Sequence, residues 1–167
     1  MRMRSLTMAA GLALLAGCMS APGNQRATLL VSMTGIQEVP GPGDPDGNGT
    51  VEIRVNPGAG SVCWNLYARA IGPATAAHIH RGSAGIAGPP VVTLVTPDAN
   101  GRSQACANVD RDLARQMVLA SQEFYVNVHT ADHPMGAIRG QLRGDPNRGL
   151  RQGSGMGVNP TGSRPGA

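Results

Sequence analysis

The chain has 167 residues, with fourteen basic residues against ten acids and a formal charge of +4; its length allows one modest domain once the ends are set aside. All of the basic residues are arginine, and between Ala27 and Leu142 seven of them face nine acids. The central region therefore lacks the basic face that nucleic-acid binding requires. Only four aromatic residues, Trp64, Tyr67, Phe124 and Tyr125, are present, so the core must rest on small aliphatic side chains, and a covalent staple is useful.

The chain opens on Arg2 and Arg4, followed by an apolar run from Leu6 to Ala16. That run is too short to span a bilayer as a mature helix and reads as a signal sequence over residues 1–17. It ends in Leu15-Ala16-Gly17-Cys18, which resembles a bacterial lipobox. The resemblance implies cleavage before Cys18, a diacylglycerol on its thiol, and a mature protein tethered by lipid in an oxidising compartment of the cell envelope. The alternative is an ordinary signal peptide with an incidental cysteine. Met19, in place of aspartate, favours the outer membrane in the sorting pattern of Gram-negative lipoproteins. Residues 18–26 read as a tether, and the expected partners are the membrane through the lipid and an unidentified protein or small molecule.

A first strand is expected at Ala27 to Gly35, then a loop over Gly41 to Gly49 by composition. The run Asp44-Pro45-Asp46-Gly47-Asn48-Gly49 has calcium-loop residues without the bidentate glutamate at the twelfth position, and reads as a turn. Thr50–Asn56 and Ser61–Ala70 alternate apolar and polar residues across a Pro-Gly turn and predict a hairpin. The segment from Pro73 to Arg81 carries His78 and His80, whose spacing of two puts both rings on one side of a strand. A Gly/Pro loop from Gly82 to Pro90 separates it from a short strand, Val91–Val95, and another strand spans Arg102–Val109. Asp110 caps a helix of one or two turns, with Leu113, Met117 and Ala120 on one side. Phe124–Thr130 predicts a strand with Phe124, Val126 and Val128 inward and Tyr125, Asn127 and His129 on the opposite face. A turn leads to the last strand, Ala137–Arg143. From 144 to 167 the composition is Gly, Arg, Pro, Ser and Asn, which predicts a disordered tail. The fold class is all-β, an antiparallel β-sandwich over residues 27–143 with one short helix.

Three separated motifs carry a resemblance to a known family. Gln37-Glu38-Val39-Pro40, then Ala77-His78-Ile79-His80-Arg81-Gly82 with Gly88-Pro89-Pro90-Val91-Val92, then Tyr125-Val126-Asn127-Val128-His129-Thr130 with His133-Pro134-Met135-Gly136-Ala137-Ile138-Arg139-Gly140-Gln141 together resemble the CHRD domains, named from chordin. The resemblance covers residues 28 to 143, and Ala137 stands where the family usually has glutamate. It implies an immunoglobulin-like or superoxide-dismutase-like sandwich. It does not carry a molecular activity, since growth-factor binding by animal relatives cannot be moved onto a single bacterial domain.

Cys63 and Cys106 remain after lipidation of Cys18, and an even pair in an exported domain reads as a disulfide; two free thiols are the alternative. All four histidines lie in the two motif segments at 78, 80, 129 and 133, and two readings of them compete. His78, His80 and His129 form a set that copper or zinc could use. The His-Ile-His pair is similar to that of copper–zinc superoxide dismutases, although their zinc-loop histidines and aspartate have no counterpart here. Alternatively the imidazoles, Asn127, Thr130 and Arg139, with His133 nearby, form a hydrogen-bonded network that locks the histidine strand to the last hairpin. No nucleophile–base arrangement and no phosphate-binding glycine motif is readable, so a binding or structural module is expected before an enzyme.

Overall fold

The computed structural model describes residues 25–144. The expected signal sequence, Cys18, most of the tether and the tail beyond Gly144 lie outside the described residues. Eight strands and one helix follow in order: β1 (Ala27–Thr34), β2 (Asn48–Asn56), β3 (Ser61–Arg69), β4 (Ala74–Arg81), β5 (Pro90–Leu94), β6 (Arg102–Asn108), α1 (Arg111–Leu119), β7 (Phe124–Thr130) and β8 (Ile138–Gln141). The strands form one antiparallel sheet in the order β5-β4-β7-β8-β1-β2-β3-β6.

The sheet divides into two halves at the β8–β1 junction, where Thr34 and Arg139 are the one registered pair. The halves close over a single apolar core to which every strand but β6 contributes fully buried side chains, among them Leu29, Ile53, Leu66, Ile79, Leu94, Val126 and Ile138. Alternation explains the arrangement: in β3 Val62, Trp64, Leu66 and Ala68 are buried, and the residues between them point outward. A relay of polar groups links the free edges. Trp64 Nε1 donates to Ser103 Oγ at 2.9 Å, and Ser103 Oγ donates to the carbonyl of Val95 at 2.5 Å, so strand β6 is tied to the chain leaving β5.

The expected elements are present, with adjusted limits. Strand β2 starts at Asn48, inside the stretch expected as loop, while Asp44 Oδ1 accepts the N–H of Asp46 in the expected turn. The helix is longer than expected: Asp110 accepts from the N–H groups of Asp112 and Leu113, and Ala114 and Met117 bury in the core. Ala120 ends it as the C-terminal cap rather than packing along its side. Gly144, assigned by composition to the tail, bridges Leu29 and donates its N–H to Ser121 Oγ at 2.9 Å. The largest departure is β7, which is buried on both faces except at His129.

Cys63 and Cys106 are directly paired across β3 and β6, with Cα atoms 3.9 Å apart, and are joined as a disulfide. It fastens an edge strand that has no second neighbour in the sheet. Reduction should lower stability by up to about 4 kcal/mol, the chain-entropy value for a loop of this length. Urea unfolding with and without dithiothreitol checks this; an unchanged midpoint with free thiols would show that the staple is not needed.

Candidate metal centre

Strands β4 and β7 pair with Ala76 opposite His129, His78 opposite Asn127 and His80 opposite Tyr125. The period of two keeps His78 and His80 on one face, and His129 stands diagonally across from His78. The three rings meet there: centroids lie 5.4 Å apart for His78–His80, 5.2 Å for His78–His129 and 6.2 Å for His80–His129. One potential ligand atom from each ring can be chosen so that all lie within 4.8 Å of one another. His78 Nδ1 and His129 Nε2 are already 3.2 Å apart.

Backbone carbonyls set the tautomers of two rings. His80 Nδ1 lies 2.8 Å from the carbonyl oxygen of Gly88, and His129 Nδ1 lies 3.0 Å from that of Pro134. A carbonyl only accepts, so both Nδ1 atoms carry hydrogen and both Nε2 atoms keep a lone pair. His78 Nδ1 then donates to His129 Nε2, while buried His80 Nε2 has no partner. Burial lowers the pKa of His78, with His129 and His80 adding to the effect. Burial is also the main cause for His80 and His129, opposed in each by the carbonyl bond. Neutral imidazoles are the form that ligates a metal.

Around this face lies a layer of buried polar groups. Arg139 is 1% exposed; its Nη2 donates to the carbonyls of Ser83 and Ile86, both at 3.0 Å, and its guanidinium carbon lies 3.4 Å from the Tyr125 ring centroid. Gln141 Nε2 donates to the carbonyls of Gly82, Gln122 and Phe124. Tyr125 stacks on His80 with centroids 4.8 Å apart, and its hydroxyl accepts the N–H of Gly88.

The sequence-expected network is thus divided. Arg139 serves the loop after β4 instead of joining the imidazoles. Thr130 Oγ1 accepts the N–H of His133 within the β7–β8 turn, and the His133 ring faces Asp44 at 3.9 Å, away from the three-ring cluster. Asn127 is 2% exposed and lies between His80 and Glu38, yet its Oδ1 has no hydrogen-bond partner.

Sequence reasoning passed over Glu38, Tyr125, Gln141 and Gly88 as site residues. Glu38 offered a signal, being the lone acid between Ala27 and Pro42 in a chain whose final strand carries an arginine. It is 5% exposed, and burial raises its pKa from 4.5 to about 7 against the lowering pull of Arg139, the Val39 backbone and Asn127. Its carboxyl packs on Gly136, where φ is 142° and an added Cβ would stand 2.4 Å from the carboxyl carbon; only glycine fits both the conformation and the space.

A family model described as the CHRD domain matches residues 29–142. No curated protein and no solved structure matches the chain.

The buried groups give a pH signature with two opposing parts. A raised carboxyl pKa contributes stability that is full below pH 4.5 and fades as pH rises through about 7. The lowered histidines act oppositely: their contribution is full above an unfolded pKa of about 6.5 and is lost as pH falls below it. Glu38→Gln removes the first part alone. The melting temperature of the variant minus that of the wild type should therefore rise between pH 4.5 and pH 8; a difference independent of pH would show that Glu38 does not titrate in the fold.

Proposed function

The chain belongs to the CHRD domain family, and from that premise we propose that it is a binding module of the bacterial cell envelope, anchored by lipid on Cys18, whose His78, His80 and His129 hold one copper or zinc ion. The observation that carries this reading is the convergence of three neutral imidazoles, two of them oriented by carbonyl bonds that turn their Nε2 lone pairs toward the cluster, that of His80 without a partner and that of His129 facing His78 Nδ1. A tetrahedral site with nitrogens about 2.0–2.1 Å from the metal needs them about 3.4 Å apart. One pair, His78 Nδ1 and His129 Nε2, stands at 3.2 Å and can ligate once the His78 hydrogen shifts to its Nε2; the set, spread over up to 4.8 Å, needs a contraction of up to about 1.4 Å.

Imidazole donors suit copper and zinc, and three protein ligands leave a further coordination position for water or a bound molecule. The ion would supply positive charge and an open coordination site. The chain supplies the neutral tautomers and holds water off His80, which is 8% exposed. The charge of Arg139 reaches His80 and lowers its pKa, with burial as the larger cause. Its Nη2 hydrogens are nevertheless spent on loop carbonyls and its guanidinium carbon lies over Tyr125.

A second reading has an observation of its own. The 3.2 Å contact between His78 Nδ1 and His129 Nε2 satisfies both atoms without an ion, so the cluster can serve as a structural fastening between β4 and β7. Titration calorimetry of the protein with Cu(II) and Zn(II), beside His80→Ala, separates the two. The metal reading expects micromolar or tighter binding by the wild type and a loss of at least about tenfold in the variant. No heat from the wild type leaves the fastening alone; equal binding by the variant places the ion elsewhere.

The anchor is tested separately. Mass spectrometry of the native N-terminus should find an acylated Cys18, and a water-soluble product cleaved at another residue would refute it.

A further inference from the structure

An opening of about 1140 Å³ lies between the chain leaving β3 and the turn that enters β6. On its wall stands Tyr67, with Arg69 two residues along β3 and Arg102 directly opposite on β6. The guanidinium carbons of Arg69 and Arg102 lie 5.3 and 5.0 Å from the centroid of the Tyr67 ring. An aromatic ring that holds a guanidinium plane leaves its N–H edge directed outward, in the fork that matches an oxyanion.

These two cations stand close together with no ion pair within 4 Å, although the charge of Arg102 reaches Asp98 and adds to the lowering of its pKa behind the backbone bond from Arg102. Among the described residues the arginine ion pairs are Arg54–Glu52 and Arg115–Asp112. Arg81 lies over Phe124, and Arg139 is buried. The acid in the groove, Asp98, directs Oδ1 at the N–H groups of Asn100 and Arg102, each at 2.9 Å. It fixes the turn that presents Arg102 and makes no ion pair within 4 Å. Two like charges held on one ring repel, and a ligand bringing negative charge between them relieves that repulsion. The opening is far larger than a bare ion needs, and its rim adds the amides of Asn48 and Asn100. Such a mixture of a charged fork and amide groups suits a polar molecule with hydroxyls.

We propose that this groove binds an acidic saccharide, whose carboxylate or phosphate engages Arg69 and Arg102 while its hydroxyls meet the amides of Asn48 and Asn100. The site shares no residue with the histidine cluster and does not rest on the metal reading. Carboxylate and phosphate offer the fork the same pair of oxygens, so the test carries one sugar of each kind.

Amide-resonance titration of the full chain with trigalacturonate, glucose 6-phosphate and neutral maltotriose decides it. The proposal expects at least one acidic sugar to shift the resonances of residues 67–72 and 98–102, to bind more weakly as salt is added, and to bind at least about tenfold more weakly to R69Q/R102Q. The acidic sugar that binds more tightly identifies the source of the oxyanion. Both arginines are exposed, so the double variant should fold, and R81Q, outside the groove, should bind like the wild type. The proposal is overturned if neither acidic sugar shifts these resonances at about 1 mM, if maltotriose binds as well as the acidic sugars, or if R69Q/R102Q retains wild-type affinity.

Discussion

Burial of the Arg139 guanidinium is the constraint from which the site follows. A fully charged group that is 1% exposed needs acceptors on every side it can reach, because desolvation without partners costs several kcal/mol. The strands cannot supply them, since their carbonyls are taken by the sheet. The chain between β4 and β5 does: Arg139 Nη2 collects the carbonyls of Ser83 and Ile86, and Gln141 takes that of Gly82. This segment is thereby drawn over the second face of β7. Gly88 arrives beside β4, where its carbonyl meets His80 Nδ1 and its N–H meets the Tyr125 hydroxyl. The close fit depends on glycine, for an added Cβ would lie 1.7 Å from the carbonyl oxygen of Arg81. The orientation of a histidine thus traces back to an arginine on a different strand.

β7 consequently carries two different cores. Phe124, Val126 and Val128 pack into the apolar interior, which stabilises the fold by area removed from water. Tyr125, Asn127 and His129 face the polar layer, where stability depends on hydrogen bonds being complete. They are not all complete. Glu38 Oε1, His80 Nε2, Asn127 Oδ1 and Arg139 Nη1 are buried without partners. An apolar filling of the same space would hold the sheet together better. Its retention of lone pairs beside three neutral imidazoles is the feature that a purely structural account leaves unexplained.

Much of the fold was legible because strands with one buried face announce themselves. The alternation in Thr50–Asn56 and Ser61–Ala70 gave the hairpin, and Asp110 gave the start of the helix. Cys63 and Cys106 sit on the outward parity of their strands, and the sheet brings them together. β7 was read half correctly, since its odd residues look solvent-facing when the loop that covers them is known only as Gly/Pro-rich composition. Composition identifies a loop and is silent on where it folds. The histidine spacing of two fixed a shared face for His78 and His80, but the approach of His129 required the β4–β7 register, a contact between residues about fifty positions apart. For the same reason Glu38 and Gln141 read as motif letters: their partners come from distant loops. Of the residues expected in one network, His78 and His129 meet each other across β4 and β7, Thr130 turns to the N–H of His133 in its own turn, and Arg139 reaches across to the loop after β4.

The proposed metal centre requires the polar layer to present three imidazoles to one ion. X-ray absorption of the protein loaded with one equivalent of Zn(II) or Cu(II) addresses this most directly. Three nitrogen scatterers at about 2.0–2.1 Å with the outer-shell pattern of three imidazoles are expected, and no sulfur, since Cys63 and Cys106 are joined. A spectrum with one imidazole or none, or with oxygen ligands alone, would contradict it and leave the histidines as a fastening between two strands.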